Sequence, residues 1–144
     1  MHKTVNDIIA KKGSKKISVV TSYDYAMATL CDQVDILLVG DSAGMVMLGY
    51  ENTAPVTMDE MVLFTKAVSN ARENALIVAD LPNKSYENEA DAVANSERLI
   101  RAGADAVKLE GRLPDIIRAI IKAGIPVMGH LGLLPQTAKK YTVQ

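Results

Sequence analysis

Four charged side chains stand in or beside apolar runs of the sequence. Asp41 directly follows the run at residues 36–40, and Asp80 closes the run at residues 76–80. Lys108 and Glu110 lie two positions apart in a third run, so on a strand they would share one face. Charges inside a core are costly unless they are paired or bound to a ligand. The pattern therefore indicates a site rather than a packing surface.

The two aspartates are candidate ligands for a divalent cation. Mg²⁺ prefers a few carboxylates together with water and substrate oxygens. Zinc is disfavoured because His2 and His130 are the only histidines and Cys31 is the only cysteine. For His130, which lies beside glycines, a substrate contact and a structural hydrogen-bond donor are equally good interpretations.

Composition excludes several other functions. The chain of 144 residues carries 16 Lys and Arg against 17 Asp and Glu, so it has no basic excess for binding nucleic acid. Hydrophobic residues make up 49%, which predicts a packed globular core, but no run approaches the ~18 residues of a membrane span. The single cysteine fits a reducing cytoplasm, and the lysine-rich start lacks the layout of a secretory signal.

The elements that would position these residues alternate between strand and helix. Strands are predicted at residues 17–21, 36–40, 76–80, 106–110 and 125–129, and helices at 5–11, 24–32, 58–74, 87–102 and 114–123. A capping box begins the third helix, and Gly103 and Gly124 are placed as left-handed caps. The inward residues are predicted to be Met58, Met61, Val62, Thr65, Val68, Ala90, Val93, Ala94, Ile100, Ile116, Ile117, Ile120 and Ile121. Residues 45–48 are interpreted as an apolar loop packed beneath the strand ends.

This alternation predicts α/β architecture in a single domain over residues 1–144. The polar residues all follow the carboxyl ends of strands, which in a parallel barrel open on one functional face. Local patterns leave an open doubly wound sheet and a (β/α)₈ barrel as alternatives. A complete barrel takes ~250 residues, so five strands would make only a partial one.

Six motifs, in order and spacing, resemble the ketopantoate hydroxymethyltransferase family. They cover essentially the whole chain and are Thr21-Ser22-Tyr23-Asp24-Tyr25, Val39-Gly40-Asp41-Ser42, Thr53-Ala54-Pro55-Val56-Thr57, Ala79-Asp80-Leu81-Pro82, Val107-Lys108-Leu109-Glu110-Gly111 and Gly129-His130-Leu131-Gly132-Leu133-Leu134-Pro135-Gln136. The resemblance implies the first five βα units of a (β/α)₈ TIM-type barrel. It also implies a Mg²⁺-dependent transfer of a hydroxymethyl group from 5,10-methylenetetrahydrofolate to 3-methyl-2-oxobutanoate. The product, ketopantoate, serves pantothenate and coenzyme A synthesis.

Carried over residue by residue, the resemblance implies a role for each candidate. Asp41 and Asp80 match the family's magnesium ligands, and Glu110 matches an acidic residue close to the metal. Ser42 and Lys108 match groups that hold the oxo acid, and His130 lies in the site. The family's general-base glutamate falls beyond residue 144, so no catalytic base is expected within this chain. A cytoplasmic homo-oligomer with a 2-oxo acid and a folate as small-molecule partners is expected.

The sequence departs from the family pattern in places. Leu134 replaces the threonine that is usual in the family, and Phe64 replaces a histidine that is common there. Asn83-Lys84 replaces the usual Phe-Gly or Phe-Met pair. Two other functions are therefore weighed with the family's own. One is a non-catalytic fragment that needs a complementary chain. The other is a related Mg²⁺-dependent barrel enzyme acting on phosphoenolpyruvate-like or 2-oxo acids.

Overall fold

Five parallel strands form one sheet in the order of the chain, β1-β2-β3-β4-β5. The computed structural model describes residues 2–138. The strands are β1 (Val19–Thr21), β2 (Ile36–Val39), β3 (Leu76–Asp80), β4 (Ala106–Glu110) and β5 (Val127–His130). The helices are α1 (Val5–Ile9), α2 (Tyr25–Cys31), α3 (Ala43–Leu48), α4 (Met58–Ala71), α5 (Glu89–Arg101) and α6 (Pro114–Lys122).

The two faces of the sheet are covered differently. Alternate strand residues, among them Leu37, Ile77 and Val107, pack against the helices in the main buried cluster. Ile36, Leu76, Val78 and Ala106 point the other way, where Val5 and Ile8 of α1 pack against them. Consecutive parallel neighbours with the crossover helices on one face are the arrangement of a barrel, whereas a doubly wound sheet has helices on both faces. The structure thus supports the predicted partial (β/α)₈ barrel.

The interior strands were predicted more accurately than the edge strands. The bounds of β3 and β4 match the prediction, but β1 begins at Val19 and β5 at Val127, two residues later than expected in each case. At β5 the reason is local: Ile125 N–H is taken by Ile120 O at the end of α6, and Pro126 has no N–H to give.

Residues 45–48 form part of a helix, so their interpretation as a loop was wrong. Helix α3 covers Ala43–Leu48 and ends at Gly49, whose φ of 74° provides the left-handed cap. Met and Leu are good helix formers, and the glycine that follows them is a typical helix end. The side chains of Met45, Val46, Met47 and Leu48 are exposed rather than packed beneath the strand ends.

The buried faces of two other helices also differ from prediction. In α5, Val93 and Ile100 pack against the core as predicted, but Ala90 and Ala94 are exposed, and the fully buried residues are Ala92, Ser96 and Leu99. Ser96 is tolerated there because its hydroxyl donates to Ala92 O at 2.6 Å. In α6, Ile116 and Ile120 are buried, but Ile121 is exposed.

The predicted capping box and glycine caps are confirmed, but predicted bounds of α4 and α5 are wrong. Helix α4 ends at Ala71 rather than at residue 74, because Arg72 is extended, and α5 begins at Glu89 rather than at residue 87, because Asn88 caps it by accepting from Asp91 N–H. The Thr57 hydroxyl accepts from Glu60 N–H, and Glu60 Oε2 accepts from Thr57 N–H at 2.7 Å, which closes the capping box of α4. Gly103 and Gly124 follow α5 and α6 with φ values of 108° and 85°. Among residues 2–138, no helix has the length and apolar character needed to cross a membrane.

Candidate active site

The carboxyl ends of β2 to β5 bring the predicted charged residues together. Asp80 pairs in register with Lys108 on the neighbouring strand, and Glu110 pairs with His130. Asp41 follows the end of β2, and its N–H donates to Asp80 Oδ2 at 3.2 Å. Residues far apart in sequence thus share one end of the sheet, as parallel pairing requires.

Asp80 forms an ion pair with the one cationic side chain of this cluster. Lys108 Nζ donates to Asp80 Oδ1 at 2.8 Å, and both side chains are largely buried. A second carboxylate, Asp41, is only 5% exposed, so two buried acids share one nearby lysine. The pair therefore keeps an excess of negative charge in a region of low dielectric constant.

The pKa values reflect this excess. Burial, together with the nearby charge of Asp80, raises the pKa of the Asp41 carboxyl to about 6, although the hydrogen bond from Gln136 opposes the rise. Burial likewise raises the pKa of Asp80, with Lys108 acting in the opposite direction. Each acid is thus harder to ionise than a free carboxyl, because no sufficient positive charge lies beside it.

Glu110 and His130 form the next layer of the cluster. His130 Nδ1 lies 3.2 Å from Glu110 Oε1, but it makes no directed hydrogen bond with the described part of the chain. His130 is the last residue of β5, one position beyond the strand predicted at residues 125–129. The buried nitrogen thus approaches the Glu110 carboxylate closely without the alignment of a hydrogen bond.

Gln136 and Tyr86 were missed in the sequence analysis. Gln136 Nε2 donates to Asp41 Oδ2 at 2.7 Å and to Leu81 O at 3.0 Å, while its backbone N–H donates to Glu110 Oε2 at 3.2 Å. The Tyr86 hydroxyl donates to Gln136 Oε1. Burial raises the pKa of Tyr86 to about 12, so this donor keeps its proton at neutral pH. Neither residue places a charge in an apolar run, and although Gln136 ends the sixth motif, the motif alone assigned it no role.

Ser42 lies at the start of α3, beside Asp41. Its Oγ is 2.7 Å from the Tyr23 hydroxyl, and either oxygen could be the donor. The strand end can approach Ser42 closely because Gly40 has no side chain: a Cβ there would lie 2.9 Å from Ser42 Oγ. Residues 40–44 also match the Gly-x-Ser-x-Gly spacing of hydrolases. Ser42 nevertheless pairs with a tyrosine rather than a histidine, so the structure gives it no general base.

The acidic groups fit a divalent cation by their chemistry, although they do not form a complete cage. Two buried carboxylates in mutual repulsion are the donor set that Mg²⁺ favours, and a cation would relieve the cost of their burial. Within residues 2–138, no cluster of three or more His, Cys, Asp or Glu residues is arranged to hold a metal ion. Mg²⁺ usually keeps waters and substrate oxygens as its remaining ligands, which is compatible with two protein carboxylates.

A cavity of about 360 Å³ lies beside these residues. Glu110 and Tyr86 form one wall, and Leu113, Ile116 and Leu134 contribute apolar surface. Lys84, which also lines the cavity, has a φ of 65°, in the left-handed region where glycine is favoured. The site thus combines a charged cluster with an adjacent amphipathic space.

A family model for ketopantoate hydroxymethyltransferase matches residues 2–144. The chain belongs to that family. A 3-methyl-2-oxobutanoate hydroxymethyltransferase from Nitrosopumilus maritimus is 63% identical over 100% of this chain and 55% of its own length. One from Cenarchaeum symbiosum is 65% identical over 88% of this chain and 50% of its own length. The resemblance inferred from the six motifs is confirmed, and the chain spans about half the length of these ketopantoate hydroxymethyltransferase relatives.

Solved structures support the fold. A 2,3-dimethylmalate lyase of the PEP mutase/isocitrate lyase superfamily matches 90% of this chain and 51% of its own with a TM-score of 0.68 at 18% identity. A phosphoenolpyruvate phosphomutase from Streptomyces platensis subsp. rosaceus matches 75% of this chain and 38% of its own with a TM-score of 0.63 at 19% identity. At these identities the likeness shows a shared architecture, in keeping with a ketopantoate hydroxymethyltransferase built on a barrel.

Proposed function

We propose that this chain supplies the metal-binding and oxo-acid-binding half of an active site that transfers a hydroxymethyl group to 3-methyl-2-oxobutanoate. The methylene donor is 5,10-methylenetetrahydrofolate, and the product, ketopantoate, is used for pantothenate and coenzyme A synthesis. The observation that carries the proposal is the buried pair of Asp41 and Asp80, joined to Lys108 at the carboxyl ends of the strands of a family member.

Asp41 and Asp80 would hold Mg²⁺, with Glu110 close by. When bound, the cation would polarise the oxo acid through its carboxylate and keto oxygens, which makes the C3 proton easier to remove. Support comes from the burial of Asp41 beside the charge of Asp80, which raises the pKa of Asp41 to about 6 and favours occupation by a cation.

Lys108, Ser42 and His130 would hold the oxo acid. Lys108 Nζ carries three donors, so it can retain Asp80 and still face the negative charge that develops on the keto oxygen. Ser42 can exchange its hydrogen bond with Tyr23 for one to the substrate. His130 lies opposite Glu110 at the end of β5, on the same edge of the sheet as the two aspartates, which favours a contact with substrate.

The reaction balances with one water. Water releases the methylene group of the folate as formaldehyde and leaves tetrahydrofolate. A base takes the C3 proton, C3 adds to the formaldehyde carbon, and the resulting alkoxide takes up a proton to become the hydroxyl. We assign no residue of this chain as the base, because the resemblance places that glutamate beyond residue 144. The cavity of about 360 Å³ beside Glu110 gives room for part of the folate. We further propose a cytoplasmic protein that works as a homo-oligomer.

The first experiment measures Mg²⁺ affinity by titration calorimetry. Asp41→Asn combined with Asp80→Asn should lower the affinity at least tenfold, because both candidate ligands lose their charge. The matched control, Asp59→Asn combined with Asp115→Asn, removes the same charge from exposed positions and should leave the affinity unchanged. Unchanged affinity in the Asp41 and Asp80 variant would remove both residues from the metal site.

The second part of the test measures ketopantoate formation. The chain is assayed alone and mixed with the carboxyl-terminal half of the Nitrosopumilus maritimus relative, which would supply a base. Turnover by the mixture, and none when the mixture contains the Asp41 and Asp80 variant, is the expected result. Mg²⁺ binding without turnover in either assay would favour a non-catalytic chain. Preference for a phosphoenolpyruvate-like acid over 3-methyl-2-oxobutanoate would favour the related barrel chemistry.

A further inference from the structure

One neutral residue links the carboxyl ends of three strands, two through its side chain and one through its backbone N–H. Gln136 is only 6% exposed and contacts Asp41 after β2, Leu81 after β3 and Glu110 at the end of β4. The orientation of its amide is determined by its neighbours: the NH₂ group faces two acceptors, a carboxylate and a carbonyl, while the oxygen faces the Tyr86 hydroxyl.

We propose that Gln136, held by Tyr86, is a positioning residue that fixes which carboxylate oxygens face the cation. This inference rests on the proposed function, since it concerns the same metal site. The Gln136 side chain donates a hydrogen bond to Asp41 Oδ2, so the other carboxylate oxygen, Asp41 Oδ1, remains for a ligand. Its backbone N–H donates to Glu110 Oε2, while Glu110 Oε1 lies 3.2 Å from His130 Nδ1, so Gln136 contributes to the orientation of both acids.

Tyr86 makes this arrangement rigid. Its hydroxyl donates to Gln136 Oε1 and accepts from Glu110 N–H at 3.4 Å. Gln136 and Glu110 are therefore joined twice, once directly and once through Tyr86. A side chain held at both ends loses little further freedom when the cation binds, which favours affinity.

The chemical type of the donor argues for a role beyond stability. An arginine or lysine beside Asp41 would neutralise the buried carboxylate and compete with a cation. An amide orients the carboxylate but adds no net charge, so the attraction for a cation is retained. Hydrogen-bonded partners of metal ligands commonly affect metal affinity by 10- to 100-fold.

The test compares Mg²⁺ and Ca²⁺ affinities of the chain and its Gln136→Met variant. Methionine keeps the length of the side chain but removes both amide contacts, while the backbone bond to Glu110 remains possible. We expect about a tenfold loss of Mg²⁺ affinity. Ca²⁺ accepts varied geometries, so its affinity should fall less and the Mg²⁺/Ca²⁺ ratio should decrease. Gln33→Met, at an exposed position, is the matched control and should change neither affinity.

Tyr86→Phe provides an independent variant in case Gln136→Met does not fold. It removes one hydroxyl and should shift the Mg²⁺/Ca²⁺ ratio in the same direction by a smaller factor. The double variant should lose no more than Gln136→Met alone, because Tyr86 acts through Gln136. The exposed Tyr25→Phe is its control.

Three results would overturn the proposal. Gln136→Met with unchanged Mg²⁺ affinity would show that the amide does not orient Asp41. An equal loss of both cations would indicate a general loosening of the site. Failure of the unaltered chain to bind Mg²⁺ would remove the metal site itself, and with it the proposed function, so the two failures are distinguishable.

Discussion

Asp32 anchors the segment that leads into β3. Its carboxylate accepts hydrogen bonds from the backbone N–H groups of Glu73, Asn74 and Ala75 and from the Asn74 side chain, at 2.8 to 3.0 Å. Burial opposes ionisation of this acid, but the hydrogen bonds led by Ala75 lower its pKa below the usual 3.8. The ionised carboxylate of Asp32 is therefore more stable in the folded state than in the unfolded state.

Asp32→Asn should lower the free energy of unfolding by about 2 kcal/mol at pH 7, because hydrogen bonds to a charged acceptor are replaced by weaker ones. Since the pKa of Asp32 is lowered by folding, its stabilisation is complete above pH 3.8 and is lost as the pH falls through the folded value. The difference between the chain and its variant should thus narrow on acidification below pH 3.8. Urea unfolding at several pH values measures this.

Asp115→Asn is the matched control for Asp32. Asp115 is exposed and pairs only with Arg118, one helical turn away. Exposed pairs of this kind contribute under about 1 kcal/mol, so the control should remain close to the unaltered chain at pH 7. A stability difference for Asp32→Asn that stays constant from pH 7 to pH 3 would contradict the proposed ionic origin.

Residues of the candidate site could be predicted from the sequence when they placed a charge within a run of apolar residues. Asp80, Lys108 and Glu110 were found because a charge in an apolar run needs a partner or a ligand. Gln136 was not found, because its contact with Asp41 spans 95 positions and an amide in a loop is ordinary. Tyr86 likewise contacts Gln136 across 50 positions. Only the folded chain shows these pairings.

At the scale of elements, Gly103 fixes the distance between α5 and α4. Its φ of 108° ends α5, and a Cβ at this position would lie 1.9 Å from Ser69 Oγ of α4. Gly103→Ala should lower the free energy of unfolding by about 3 kcal/mol, because left-handed strain and a steric clash add together. Gly124→Ala, with a φ of 85° and no atom within 4 Å of the added Cβ, should cost about 1 kcal/mol from strain alone.

Ser69→Gly tests the origin of the Gly103 effect. In the double variant, the clash is removed, so the loss of stability should be smaller than the sum of the two single losses. Thermal and urea unfolding of the four chains measure this difference. Strictly additive losses would show that the contact with Ser69 does not limit the approach of the two helices.

The elements whose bounds were predicted are those determined by their own residues. Every residue of β3 is buried, so the bounds of the strand coincide with those of the run at residues 76–80. Only part of the buried face of α5 was predicted: Val93 and Ile100 pack against the core, but Ala90 and Ala94 do not. Alanines occur on every side of this helix, so the sequence does not show which of them are buried. Helix α3 was missed for a different reason: its side chains are apolar but exposed, which no amphipathic pattern indicates.

At the scale of the whole molecule, strand order separates the two architectures that local patterns left open. The sheet follows the order of the chain, and its second face is covered only near Val5 and Ile8 of α1 among the described residues. Non-local pairing decides this order, and no stretch of sequence contains it. The partial barrel therefore has two open edges, β1 and β5, within residues 2–138.

Open edges predict association. A strand edge presents unpaired backbone N–H and C=O groups, and charged side chains on an edge strand discourage pairing with another chain. Strand β1 has no charged residue, and its Val19 side chain is 47% exposed. Light scattering with size exclusion should therefore show that the apparent mass of the purified chain rises with concentration. Val19→Lys should reduce this rise, because an edge lysine opposes pairing. Leu30→Lys is the control on α2, where the side chain is 79% exposed. A monodisperse monomer at every concentration, or suppression by Leu30→Lys instead, would show that the edge of β1 does not drive association.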